Sequence, residues 1–329
     1  MSELQARAIA HANIALAKYW GKADEKLNLP AVPSVSITLA PLATHTHVRF
    51  DPKLESDRFL LGGKAAQPEE TARVTKLLDR VRALAGLRLR AKVTSSNDFP
   101  TASGLASSAS GFAALAAAAR AAAGLPFDRS AISALARASS VSAARSAVAG
   151  FGELPLAGKA GDRLAARMIA PPDHWPLRIV VAVTTEGRKP VGSTGGMQHT
   201  ARTSPYYASW VAAAPRLCAQ IRAGILARDL PAVGTAMEHS TLAMHACAMA
   251  AAPAVVYFRP ATLAALETVR TLREGKTCVP VWATADAGPH IKALCHVRDV
   301  KRVEAALRKT AGVLRTIVCE PGAGVELIP

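Results

Sequence analysis

Aromatic residues make up only 5% of this 329-residue chain, although half of it is hydrophobic. A core of stacked rings is excluded, so the interior must be close-packed helices and sheets of Ala, Val, Leu and Ile. Cysteines are few: Cys218, Cys247, Cys278, Cys295 and Cys319 are odd in number, widely spaced and form no C-x-x-C pair. That pattern predicts reduced thiols and a cytoplasmic protein. No apolar run reaches the roughly 20 residues of a membrane helix; the longest, 109–124, is interrupted by Arg120 and reads as a buried helix. The N-terminus has acidic Glu3 and no cationic start before an apolar core, so no signal peptide is expected. A basic tail is missing as well. The net charge is +16, yet Lys and Arg number 20 in residues 1–160 and 20 in 161–329, against 12 acidic residues in each half. Such a dispersed excess attracts anionic metabolites through the overall field. Nucleic-acid readout needs a basic stripe with interleaved aromatics, so no nucleic-acid partner is expected.

The length fits two packed units or one large α/β unit. Val35–Leu39 and Thr44–Phe50 read as strands from their β-branched alternation, and Phe59–Leu61 with Gly62-Gly63 as a strand entering a tight hairpin. Pro68–Ala85 is apolar at helical spacing and stops at Gly86. A strand at Arg90–Thr94 precedes helices around 106–123 and 129–138, the second capped by Asp128. Ile179–Thr184 reads as a buried strand, and the domain boundary is placed near residue 185, giving units 1–185 and 186–329. Beyond it, helices at about 204–227, 229–249 and 260–274 alternate with strands at Val279–Thr284 and Ile317–Cys319. The class expected is α+β.

The stretch Asn97–Gly111, NDFPTASGLASSASG, places Pro, Gly and small hydroxylated residues directly before the Ala-rich helix. Thr101, Ser103 and Gly104 can offer unobstructed backbone N–H groups to an anion, and Ser107 and Ser108 sit where a first helical turn leaves its donors unpaired. A nucleotide triphosphate fits there; a flexible turn would have the same composition. The Walker lysine is absent, which excludes the common P-loop ATPase. Lys18, Tyr19 and Lys22 bring two cations and a phenol within five residues, which suits a diphosphate, though a solvated strand end can look alike. Ser142 and Arg145, at i and i+3, could hold a phosphate or a carboxylate, or form a polar cap. Asp286, in TADAGPH, stands where a catalytic carboxylate projects from a rigid strand, or where an ordinary turn needs Asp. Ser193–Met197 reads as another small hydroxylated loop. His45 with His47, lacking a third ligand, and His245 beside Cys247 are read as structural.

Taken in order, ANIALAKYWGK with LNLP, NDFPTASGLASSASGFAAL, SVSAARS, GSTGGMQHTARTSP, MHAC and DAGP resemble the mevalonate diphosphate decarboxylases of the GHMP kinase superfamily, from residue 7 to residue 322. The resemblance implies a two-domain GHMP-kinase-type α+β fold with its active site in the cleft between domains. It implies ATP-dependent decarboxylation of mevalonate 5-diphosphate, with ATP and Mg²⁺ as cofactors, no dedicated metal ligand, and a homodimer. Asp286 matches the catalytic carboxylate, with Lys18, Thr194 and Arg145 completing its cluster. Tyr19, Lys22, Ser140, Ser142, Arg145, Ser193 and Met197 match substrate positions; Asn97, Ser103, Gly104, Ala106, Ser107 and Ser108 match the ATP loop. The chain departs from the family's pattern at Val32, Pro33, Asp98, 138–141, Ala144, Ala250, 252–254 and His290. None of these removes the catalytic cluster. Other readings are a decarboxylase of 5-phosphomevalonate, a GHMP kinase that stops at the phosphorylated alcohol, and a non-catalytic binder. Tyr19 together with Lys22 favours the diphosphate.

Overall fold

The computed structural model describes residues 4–99, 107–187, 191–276 and 278–329. The chain begins with strands β1 (Gln5–Ala17), β2 (Lys22–Asp24), β3 (Leu29–Pro30), β4 (Ser34–Asp51), β5 (Arg58–Leu61) and β6 (Lys64–Ala65), followed by helix α1 (Pro68–Ala85) and strand β7 (Arg90–Asn97). Helices α2 (Ser107–Ala122), α3 (Arg129–Ser139) and the single turn α4 (Ala143–Ser146) lead into β8 (Phe151–Leu154), β9 (Arg167–Ala170) and β10 (Leu177–Val183). The rest comprises α5 (Ser193–Thr203), α6 (Tyr207–Ala227), α7 (Leu230–Met249), α8 (Pro260–Glu274), β11 (Val281–Thr284), β12 (Ile291–His296), α9 (Val300–Arg308), β13 (Arg315–Pro321) and β14 (Glu326–Ile328).

Strand β4 is the hub, pairing with β1, β7, β8 and β13. The two strands expected at 35–39 and 44–50 are parts of this one strand. Pro41 falls where the pairing with β1 shifts register between His11 and Ala12, and it has no cross-strand partner among the described residues. Most pairings are antiparallel, but β5 runs parallel to β7. The sheet continues through β13 into β10, β12 and β11, so strands from both ends of the sequence share it. Helices then cover it in separate cores. Helices α1–α3 pack on Val48, Phe50 and Val93; α6 and α7 pack on Ile14, Ile37, Ile179 and Val181; α8 and α9 pack on Val180, Ile291 and Ala293.

Helix α2 is apolar on every side, and Ala113, Ala114 and Ala116–Ala119 are essentially inaccessible. Small side chains let the sheet, α1 and α3 all approach it. Asp128 caps α3 as expected, accepting from the Ser130 and Ala131 N–H groups at 2.8 and 3.2 Å, and Gly86 closes α1 in the left-handed conformation. Several elements differ from expectation, and β8, β9, α9 and β14 are additional to those expected. Ser193–Met197 is the start of α5 rather than a loop, and it separates from α6 at Ser204-Pro205. Strand β1 is rich in alanine, a poor strand former, and is held by pairing with β4 and β14. Strand β12 was not expected either. Among the described residues, no helix is long and apolar enough to cross a membrane.

Candidate active site

Two strand ends converge on one ion pair. Lys18 follows the last residue of β1, and Asp286 lies two residues past β11. The Lys18 Nζ donates to Asp286 Oδ1 at 2.8 Å and to the Ala15 carbonyl at 2.7 Å. Thr284 Oγ1 donates to the same carbonyl at 3.4 Å and shares a hydrogen bond with Thr241 of α7. The Lys18 amide donates to Ser240 Oγ, also on α7. These bonds fix the two strand ends relative to each other.

The charges are arranged to conflict. Burial pulls the Lys18 ammonium down to about 8; Asp286 opposes that fall, while Lys292 and Arg145 add to it. For Asp286, burial works against the carboxylate, yet Lys18, Lys292 and Arg145 together outweigh it and hold the carboxyl below its usual range. Asp286 still keeps 29% of its side chain open to the cavity. Arg145, on α4, is brought down to about 10 by burial, with Asp286 and Tyr19 opposing. Its Nη1 donates to Ser34 Oγ at 2.6 Å, and its Nε has no acceptor among the described residues.

These groups face a cavity of about 630 Å³, within the usual range of roughly 300–1,000 Å³ for small-molecule sites. Every described candidate from the sequence lies on its wall. Lys22, on β2, stands near Arg73, and burial lowers its ammonium. The Tyr19 hydroxyl is buried without a partner among the described residues, and burial pushes its ionisation well above the ordinary range. Ser140 and Ser142 share a hydroxyl contact at 3.2 Å between α3 and α4. Ser193, Thr194 and Met197 come from the first turns of α5, and Ser107 and Ser108 from that of α2. Asn97 ends β7, where its side-chain oxygen accepts from Thr44 at 2.6 Å. Thr101, Ser103, Gly104 and Ala106 lie outside the described residues.

Close packing shapes this wall. Gly21, between Tyr19 and Lys22, has φ +110, and a Cβ there would lie 2.0 Å from the Tyr207 hydroxyl. Gly196 passes Tyr257 and Trp20 so closely that a Cβ would meet the Tyr257 hydroxyl at 2.4 Å.

Other readings of the sequence resolve as structural roles. His45 pairs with Asp98 at 3.0 Å and His47 with Gln5 at 3.2 Å, and among the described residues no group of three His, Cys, Asp or Glu could hold a metal. His245 does not engage Cys247: it packs on Phe258 at 4.1 Å, and burial takes its imidazole down to about 3, with the Lys18 charge adding to the fall. Cys247 instead donates to Ser204. His290 is buried, its ring nitrogen accepting from the Thr184 amide at 3.2 Å. Three site groups escaped the sequence reading. Asn13 anchors the α4 turn through Ser142 and Ser146, and its Oδ1 has no partner among the described residues; Arg73 lies over the Phe112 ring at 4.6 Å; and Lys292 lies buried on β12. No signal singles out Asn13 in a strand that also carries Gln5, Arg7 and His11, and Lys292 by itself reads as an edge-strand charge.

Comparison with known proteins agrees with this geometry. The diphosphomevalonate decarboxylase-like N-terminal domain model matches residues 10–165, and the mevalonate 5-diphosphate decarboxylase C-terminal domain model matches residues 179–318. The diphosphomevalonate decarboxylase of Ganoderma lucidum is 36% identical over 328 residues, covering 92% of this chain and 81% of the relative. The mevalonate diphosphate decarboxylase of Staphylococcus aureus superposes with a TM-score of 0.93 at 34% identity, covering 99% of this chain and 98% of that one. A solved complex of MDDEF with MVAPP, AMPPCP and magnesium gives 0.92 at 36% identity, covering 99% of each chain. The fold is therefore the two-domain α+β arrangement of the GHMP type, and the chain belongs to the mevalonate diphosphate decarboxylase family.

Proposed function

We propose that this enzyme uses ATP to decarboxylate mevalonate 5-diphosphate, giving isopentenyl diphosphate, carbon dioxide, ADP and phosphate. The observation that carries the reading is the Lys18–Asp286 pair facing a cavity that also gathers the cations Lys22, Arg73 and Arg145 and the hydroxyls of Ser107, Ser140, Ser193 and Thr194 among apolar side chains. A tertiary alcohol is a poor leaving group. Phosphorylation of the 3-hydroxyl makes it a good one, and its departure as phosphate draws the electrons of the carbon–carboxylate bond into the new double bond, releasing carbon dioxide.

In this reading the Asp286 carboxylate accepts the hydroxyl proton as the oxygen attacks the terminal phosphorus. Lys18 uses two of its three donors within the protein, leaving the third for the transferring phosphoryl group. Thr194 adds a hydroxyl on the same wall. Arg145, with Ser142, holds the substrate carboxylate, which explains a buried guanidinium whose Nε lacks an acceptor among the described residues. Tyr19, Lys22, Ser140, Ser193 and Met197 surround the diphosphate. Asn97, Ser107 and Ser108 hold the nucleotide, together with Ser103, Gly104 and Ala106 by resemblance. The start of α2 fits a nucleotide–magnesium pair, because it offers the hydroxyls of Ser107 and Ser108 at a helix N-terminus and carries no acid in its first turn. Ser107 and Ser108 are the oxygen donors there, and Mg²⁺ supplies neutralisation of the triphosphate when bound. A cytoplasmic homodimer divided near residue 185 is the form we infer, with the five free cysteines in keeping with a reducing compartment.

The test is to measure ADP and carbon dioxide together, with Mg-ATP and either mevalonate 5-diphosphate or 5-phosphomevalonate. Equal amounts of both products with the diphosphate are expected. Turnover of the monophosphate alone would reassign the substrate, and ADP without carbon dioxide would make the protein a kinase.

A further inference from the structure

Lys292 is a lysine where the fold calls for an apolar residue. It is the second residue of β12, opposite Thr284 at the end of β11 and Val181 of β10. Its neighbours Ile291, Ala293, Leu294 and Cys295 are all buried core. Lys292 is only 3% exposed, and its Nζ has no hydrogen-bond partner among the described residues. A buried ammonium without an acceptor is among the least favourable groups a core can hold. Nothing in strand pairing or core packing requires it.

What lies near it gives it a use. Thr284, its partner across the ladder, bonds the Ala15 carbonyl that also holds Lys18. Among the described residues, four ionisable groups from four elements interact electrostatically with Asp286: Lys18 from the end of β1, Arg145 from α4, His245 from α7 and Lys292 from β12. His245 is neutral at working pH, since its imidazole titrates at about 3. Lys18 touches Asp286 directly, whereas Arg145 is taken up by Ser34 and by its place on the cavity wall. Among the described residues, Lys292 is not part of the cavity lining, and Asp286 is the one group that raises its affinity for a proton.

We infer that Lys292 is a positioning residue for Asp286, a second ammonium behind the cavity wall that keeps the carboxylate charged and in place while Lys18 engages the phosphoryl group. The inference rests on the decarboxylase reading. Lys292 touches neither substrate nor nucleotide, and it acts through the charges of Asp286 and Lys18. Removing its charge withdraws a stabilising neighbour from the Asp286 carboxylate and a repelling neighbour from the Lys18 ammonium. Both groups then hold their protons to higher pH, so both limbs of the pH profile move the same way.

The experiment compares wild type, Lys292→Met and Lys292→Arg by ADP and carbon dioxide release across pH. For Lys292→Met, kcat falls about tenfold or more, the KM values for both substrates change by less than about threefold, and both limbs shift to higher pH. Lys292→Arg restores the limb positions. A methionine variant that folds, whose limbs stay in place, overturns the inference, because a merely structural or uncharged lysine would leave them unmoved. Lys292→Gln serves the same comparison if the methionine variant does not fold. If neither folds, the wild-type lysine 13Cε spectrum, assigned through Lys292→Arg, decides: a charged Lys292 at neutral pH supports the role and a neutral one refutes it. Inactive wild-type protein would instead count against the decarboxylase reading, and the spectrum would still report on Lys292.

Discussion

In the proposed mechanism Lys18 acts as a cation, and its surroundings make that charge conditional. With the ammonium titrating at about 8 rather than 10.5, the charged form dominates below that pH and is lost as pH rises through it. The alkaline limb of kcat is therefore expected near pH 8, and a limb at the ordinary lysine position would show that Lys18 is not the group titrating. Asp286 is held below its usual range, so it stays charged down to acidic pH and sets no limb near neutrality. Asp286→Asn keeps the shape but removes the proton acceptor, and we expect turnover to fall by about 10²–10⁴-fold. Isothermal titration should show ATP binding retained; full activity in that variant would remove Asp286 from the mechanism. Both residues were legible in the sequence because each stands beside a recognisable break, Lys18 before Tyr-Trp-Gly and Asp286 before Ala-Gly-Pro. Lys292 was not. A single lysine in Ile-Lys-Ala-Leu-Cys looks like an edge-strand charge until the pairing with β10 and β11 buries it on both sides.

The site is made where elements end: β1, β7 and β11 stop at the cavity, and α2 and α5 start there. Ends of this kind were readable where local chemistry decides them, as with Asp128 at α3 and Gly86 at α1. They were unreadable where tertiary pairing decides. The Gly-Gly pair that made 193–197 read as a loop is required inside α5 at Gly196, because the helix crosses Tyr257 and Trp20 there. The same logic applies to the turn after β1. Gly21→Ala must accommodate both a φ of +110 and the Tyr207 hydroxyl, a strain of about 1–3 kcal/mol. The turn carries Tyr19 and Lys22, so KM for the phosphorylated substrate is expected to rise more than KM for ATP, with a lower melting temperature. Equal KM effects would place the diphosphate away from this turn. At the start of α2, Ser107→Ala is expected to weaken ATP binding more than substrate binding, as read by calorimetry with each ligand alone.

At the scale of the whole molecule, a net charge of +16 and a pI near 10.2 surround a site for two polyanions. The excess is spread through both halves of the chain, so it acts as a field and not as a patch, and a field of this kind raises the rate of encounter with anions. Salt screens exposed charges over about 8 Å at physiological ionic strength, but it screens buried pairs much less. Lys18, Arg145 and Lys292 are 2–3% exposed. Capture should therefore be sensitive to salt while the chemical step is not. Raising ionic strength from about 0.02 to 0.5 M is expected to lower kcat/KM for the diphosphate by roughly tenfold and to leave kcat within about twofold. The slope should be steeper for the diphosphate than for the monophosphate, because the more highly charged ligand loses more of the attraction. Steady-state kinetics at constant pH and free Mg²⁺ measure both quantities. If kcat declines in step with kcat/KM, salt is reaching the buried charges, and the cluster around Asp286 is then more open to solvent than its packing implies.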